Sequence, residues 1–236
     1  SSEFQMEKGP IFTNIVLADE INRSPPKTQA ALLESMEERQ ATIEGVTHKL
    51  PQPFFVIATQ NPIEHEGTFR LPEAQLDRFL LKMSTGYVPT PEMESEILRR
   101  RIKWGSNSPA DSIQPVLSRE RFLEMQEVLE TKIYVDDKIL DYISLIIRKT
   151  RDHPALEIGA SPRGGIALLK LSRAMAAMSG RDFVTPDDVK MFAREALSHR
   201  VILSMEYEVQ GKITAAGVID EVVASVKIPT SLDRKA

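Results

Sequence analysis

The sequence predicts an α/β layer built on parallel strands, followed by an all-helical unit. Three observations carry that reading. Two short apolar runs, Asn14–Ala18 and Phe54–Thr59, are bounded by turn residues and are too short for helices, which suits fully buried parallel strands. The segment between them has helical period. Beyond residue 105 nearly every stretch does.

Taken in order, Asn14–Ala18 is the first strand. Ser24 can cap the helix that follows, with Pro25 at or near its first position. The helix Pro26–Glu38 sets Ala30, Leu33 and Glu37 on one line, with Leu32 and Met36 beside it. Residues 41–50 read as a hairpin turning at Glu44-Gly45. Phe54–Thr59 is the second strand. The helix-like Leu71–Arg78 leads to a third apolar run, Phe79–Met83, which completes a doubly wound order. Gly105–Pro115 is loop or linker. Helices are expected at about 119–130, 136–152, 162–178, 186–197 and 213–225, with caps at Ser118, Asp136, Ser161 and Thr185-Pro186. The tail from Pro229 to Ala236 is expected to be disordered.

Composition narrows the function. The 236 residues are 42% hydrophobic and 27% charged, ordinary values for a soluble globular protein. No apolar run approaches the length of a bilayer span, and the polar Ser1-Ser2-Glu3-Phe4 lacks the basic start of a signal peptide. With no cysteine, disulfides and thiolate metal sites are excluded and a reducing cytoplasm is compatible. The 4 histidines (His48, His65, His153, His199) have no metal-binding spacing. A net charge of -4 argues against nucleic-acid or membrane-surface binding, although Arg99-Arg100-Arg101 with Lys103 is locally basic. His48, Trp104 and the face Met175–Met178 read as structural.

Four motifs carry chemistry. The first strand ends in Asp19-Glu20. Successive strand residues point to opposite sides, so the two acids take different roles: one suits a magnesium ion, the other a water nucleophile. They could equally cap a loop or pair with Arg23. The second strand ends in Thr59-Gln60-Asn61 before Pro62. A neutral amide there can hold a water or a γ-phosphate oxygen, or simply serve the turn. Arg78 lies between Leu76 and the run Phe79–Met83. It can reach a neighbouring subunit's phosphate, or pair with Asp77 or Glu73. The segment Gly159-Ala160-Ser161-Pro162-Arg163-Gly164-Gly165 breaks local rules, because it puts a cation and two glycines in a first helical turn. An anion bound at that turn would explain both, and a tight helix crossing would explain the glycines.

Together these segments resemble the MoxR family of AAA+ ATPases. The resemblance rests on Gly9-Pro10-Ile11-Phe12, Leu17–Arg23, Pro26–Glu34, Ala58–Pro62, Glu66-Gly67-Thr68, Leu71–Phe79 and Ser161–Gly164, and covers almost the whole chain. It implies a partial three-layer AAA+ core over 1–104, a linker over 105–117, a helical lid over 118–228 and a tail over 229–236. It implies ATP and Mg as cofactors. Asp19 takes the magnesium-binding Walker B position, Glu20 the water-activating one and Asn61 sensor 1. Arg78 matches the arginine finger acting on the adjacent subunit, and Arg163 matches sensor 2, acting on its own subunit's nucleotide. It further implies a homo-oligomeric ring, commonly a hexamer, in the cytoplasm, with chaperone-like remodelling and partners carrying von Willebrand A domains.

One family feature is missing from the sequence. No G-x-x-x-x-G-K-[ST] loop occurs, and the Gly211-Lys212 pair is followed by Ile213. The family places that loop ahead of Gly9, where Ser1–Lys8 suit the return strand of an insert. The 236-residue chain alone is therefore expected to bind ATP poorly and not to hydrolyse it. The alternative is a non-catalytic scaffold derived from an AAA+ domain. A magnesium-dependent nuclease or phosphatase fits less well, because the second strand tip offers Asn61 in place of a carboxylate.

Overall fold

The computed structural model describes residues 8–61, 69, 71–105 and 109–230. Strands β1 (Ile15–Ala18) and β4 (Phe55–Ala58) pair in parallel, in register from Ile15 opposite Phe55 to Ala18 opposite Ala58. Helix α1 (Pro26–Glu38) joins them through the hairpin β2 (Gln40–Ile43) and β3 (Val46–Lys49). The hairpin turns where expected: Glu44 and Gly45 both have positive φ, 52° and 78°, as a two-residue turn with the strands' own twist requires. Ser24 does not cap α1. Pro25 holds the cap position, and the Ser24 hydroxyl donates back to the Ile21 carbonyl at 2.6 Å.

The two parallel strands are buried on one face only, contrary to the expectation of full burial. Val16, Ala18, Val56 and Ala58 pack with Ile21, Leu32, Leu71 and Met36. The alternate side chains Ile15, Leu17, Phe55 and Ile57 are 46–66% exposed, because α1 covers a single side of the pair.

The expected third strand is also corrected. Phe79–Met83 forms no ladder with β1 or β4. Its polar groups are taken by the helical unit: Lys82 N–H donates to Glu195 O at 2.9 Å, and the Phe79 and Leu80 carbonyls accept from Arg200. Ahead of it, the helix-like segment shrinks to the single turn α2 (Glu73–Leu76). After it comes α3 (Pro91–Trp104), a helix not anticipated from the sequence, capped by Thr90 and burying none of its residues. Trp104, expected to be structural, is 40% exposed there.

The helical unit matches its expected elements closely. Helices α4 (Arg119–Thr131), α5 (Asp137–Arg151) and α6 (Pro162–Met178) start at the expected caps, with Ser118, Asp136 and Ser161 each accepting a backbone N–H. The stretch 186–197 is two helices, α7 (Pro186–Met191) and α8 (Ala193–Leu197), broken at Phe192. Helix α10 (Ala215–Ser225) closes the unit. Unanticipated were the small strands β5 (Leu156–Ile158) and β6 (Ile202–Leu203), which pair antiparallel, and α9 (Met205–Gln210). Ile139, Ile146, Leu168, Ala196, Leu197, Val218 and Ile219 have no exposed surface, so the main hydrophobic core lies here and not in the α/β layer. Within the face Met175–Met178, Ala176 is fully buried but Met178 is 85% exposed. Ser1–Glu7, the motif Glu66-Gly67-Thr68 with Pro62, the residues 106–108 of the linker and the tail 231–236 lie outside the described residues.

Candidate functional site

Two strand tips bring Asp19, Glu20 and Asn61 together. β1 and β4 run parallel and in register, so their C-terminal ends lie side by side. The Thr59 hydroxyl donates to Asp19 Oδ1 at 2.6 Å and accepts from the Glu20 N–H at 2.8 Å. Asn61 Nδ2 donates to Glu20 Oε1 at 3.2 Å. Glu20 itself adopts a left-handed backbone (φ 48°, ψ 51°), an uncommon conformation for a residue with a side chain. That kink lies in the turn just beyond the end of β1 at Ala18. Glu20 also pairs with Arg23 at 3.2 Å, as the plainer reading allowed, and the two contacts coexist.

Sequence reasoning gave no individual role to the residues that hold this arrangement. Buried Asn22 grips the Asn61 backbone from both sides: its Nδ2 donates to Asn61 O at 3.1 Å, and its Oδ1 accepts from Asn61 N–H at 3.3 Å. Gln29, 1% exposed on α1, directs its amide NH2 at the carbonyls of Ile21, Ser24 and Phe69. Buried polar groups of this kind fix one geometry because leaving them unpaired is costly. The available signal was that polar Asn22 and Gln29 stand beside apolar, core-forming positions.

Arg78 and Arg163 are not gathered with the acids. They meet each other instead, on the Glu37 carboxylate at the C-terminal end of α1. Glu37 lies eight residues beyond Gln29, or about 12 Å along the helix. The Arg163 guanidinium, and with it Arg78, hold the Glu37 carboxyl below its usual range. Glu37 thus supplies the negative charge expected opposite Arg163 at the start of α6. Of the glycines beside it, Gly164 serves packing: a Cβ there would sit 2.8 Å from Leu197 Cδ2, whereas one on Gly165 would meet Ile147 Cγ1 at 3.5 Å, an ordinary contact. The tight-crossing explanation accounts for Gly164.

Behind the arginines lies a polar junction between α2 and the helical unit. Asp77 accepts from the Ser161 hydroxyl at 2.9 Å and from Arg200 Nε at 3.0 Å. Arg200, with a side chain 2% exposed, also donates to the Asp77 and Leu80 carbonyls at 3.1 and 3.2 Å, and to those of Phe79 and Ala196. Next to it His199 Nε2 donates to Phe79 O at 3.2 Å. Burial, reinforced by the Arg200 and Lys82 charges, lowers the His199 pKa from 6.5 to about 4. The unfolded chain therefore binds a proton between pH 6.5 and 4 that the folded chain refuses. Stability contributed by neutral His199 is complete above pH 6.5 and falls as the pH drops toward 4, by about 3 kcal/mol at most. Urea titrations at pH 7 and pH 5 should show this loss in the wild type and a smaller one in His199→Gln. Equal losses in both would refute the assignment.

Residues 1–81 match the family described as ATPase family associated with various cellular activities (AAA), and residues 148–222 match the AAA lid domain. The chain is 47% identical over 227 residues to the uncharacterised protein YeaC of Bacillus subtilis, covering 96% of this chain and 69% of that one. It is 41% identical over 236 residues to the chaperone MoxR1 of Mycobacterium tuberculosis, covering 96% of this chain and 60% of that protein.

The chain belongs to the MoxR-type AAA+ ATPases.

The fold of this MoxR-type chain also superimposes on the crystal structure of a candidate ATPase from Cytophaga hutchinsonii, with a TM-score of 0.87 and 38% identity, covering 96% of this chain and 69% of that one. It has the two parts of its family, an α/β layer from an AAA+ core and a helical lid. No helix among its described residues is long and apolar enough to cross a membrane.

Proposed function

We propose that the intact protein is a magnesium-dependent ATP phosphohydrolase that works as a remodelling chaperone, and that residues 1–236 supply its Walker B, sensor and lid portions. The observation that carries this reading is the pairing of Asp19 with Thr59 and of Glu20 with Asn61 at adjacent tips of parallel strands. Asp19 suits a magnesium ion in the usual manner, as one exposed carboxylate beside a hydroxyl, with phosphate oxygens and water as the remaining ligands. Bound there, the ion would offset charge on the phosphates. Glu20 takes the proton of the attacking water, while the Asn61 amide keeps its carboxylate aimed.

Arg78 neutralises charge on the γ-phosphoryl group of the neighbouring subunit. The placement of Arg163 favours a change from the sequence-based assignment. Because Arg163 shares Glu37 with Arg78, both arginines belong to one surface, and we assign both to the neighbour's nucleotide. The γ-phosphoryl oxygens replace Glu37 as their counter-charge when subunits close. This arrangement implies a ring, which we take to be a hexamer in the cytoplasm, with von Willebrand A domain proteins as partners. Lid movement couples nucleotide state to remodelling.

The test is Glu20→Gln in the intact protein. ATP should still bind, and steady-state hydrolysis should fall by about 10²–10⁴-fold, the usual worth of a positioned base. Turnover within a few-fold of wild type would refute the role. The 236-residue polypeptide, which lacks the phosphate-binding loop motif, should show no Glu20-dependent hydrolysis by itself.

A further inference from the structure

The Asp77 carboxylate reaches three elements that carry or support the arginines. It immediately precedes Arg78. It accepts from the hydroxyl of Ser161, the N-cap of α6, and Arg163 is the second residue of that helix. It also pairs with buried Arg200, whose remaining donors hold the carbonyls of Asp77, Phe79 and Leu80 on either side of Arg78. Arg163 Nε itself lies 3.9 Å from Asp77 Oδ2. The backbone leaving Arg78 and the first turn of α6 are therefore fastened to one charged group.

We propose that Asp77 is a positioning residue for the Arg78–Arg163 pair, setting the spacing of the two guanidinium groups before a neighbour's phosphate arrives. Asp77 acts through the arginines, and so this inference rests on the reading of Arg78 and Arg163 given above. The physical reason is geometric. Two cations on long side chains stabilise a transition state only if their backbones are held in register, and a misplacement of 1 Å costs about 10²-fold. Arg200 secures that register because burial makes its pairing obligatory: a buried guanidinium without a carboxylate is strongly unfavourable.

The test uses Asp77→Asn in the intact protein, a substitution that keeps shape and a hydrogen-bond acceptor for Ser161 while removing the charge facing Arg200. Turnover per assembled ring should fall about 10–100-fold, with KM for ATP changed less than about threefold. Mixing the variant with Glu20→Gln subunits should restore turnover, because an intact Glu20 then meets intact arginines across the interface. General misfolding would damage the variant's own Glu20 site and give no such restoration. A second measurement is independent of hydrolysis. Residues 1–236 contain no cysteine, so once any cysteine elsewhere in the intact protein is replaced by serine, spin labels can be placed at Lys27→Cys on α1 and Lys170→Cys on α6, both exposed. Their distance distribution should broaden or shift in Asp77→Asn. Turnover within twofold of wild type, failed restoration, or an unchanged distribution would each overturn the proposal. Loss of the Glu20→Gln effect would instead remove the catalytic reading, and the distances would still decide the role of Asp77.

Discussion

Arg78→Ala in the intact protein should leave ATP binding within a few-fold of wild type and lower turnover by about 10³–10⁵-fold, the range for an arginine supplied to a transferring phosphoryl group. The loss should be repaired between subunits. In a ring of Arg78→Ala and Glu20→Gln subunits, some interfaces combine an intact Glu20 with an intact Arg78, about a quarter of them in a random one-to-one mixture. Turnover should return toward that fraction. The same experiment with Arg163→Ala decides where Arg163 acts. If it served its own subunit's nucleotide, no mixed interface would be complete and nothing would return. If it accompanies Arg78, as their shared hold on Glu37 suggests, activity returns equally. Assembled mixed rings that stay silent with both variants would show that the arginines do not act across the interface.

The second large effect is on stability. Leu168 is fully buried at the centre of the lid core, among residues such as Ile146, Leu197 and Val218 that are also without exposed surface. Leu168→Ala deletes buried methyl groups and leaves a cavity that the surrounding helices cannot fully collapse, at a cost of about 2–5 kcal/mol. The control is Ile102→Ala on α3, where the side chain is 81% exposed and the change should stay within about 0.5 kcal/mol. Equilibrium urea unfolding of both variants measures the difference. A Leu168→Ala cost below about 1 kcal/mol would mean that the lid core is not what holds this part of the chain together.

What could be read from the sequence was what is coded locally. Helix α1 ends where its periodicity ends, and α4, α5 and α6 begin at the side-chain caps that Ser118, Asp136 and Ser161 provide. The hairpin follows from Glu44-Gly45 alone. Asp19, Glu20 and Asn61 were legible as a group because two short strands in parallel must bring their ends together. Helix α3 carries Met93, Ile97, Leu98 and Ile102 at helical spacing behind a Thr90 cap, a signal the sequence does offer, yet it buries none of its residues. The break at Phe192 is invisible, since the apolar pattern continues from α7 into α8.

The sequence by itself determined the family motifs, the helical caps and the paired acids at a strand tip. Those depend on neighbours along the chain or on the two-residue repeat of a strand. Tertiary structure alone decided that Phe79–Met83 would not join the sheet, because buried Arg200, 120 residues away, draws the Phe79 and Leu80 carbonyls toward the lid. It alone decided that Arg78 and Arg163 share a carboxylate on α1, and that Asp77 fastens the elements bearing them. A charged side chain satisfies its charge with whatever the fold brings near, and sequence distance does not encode that partner.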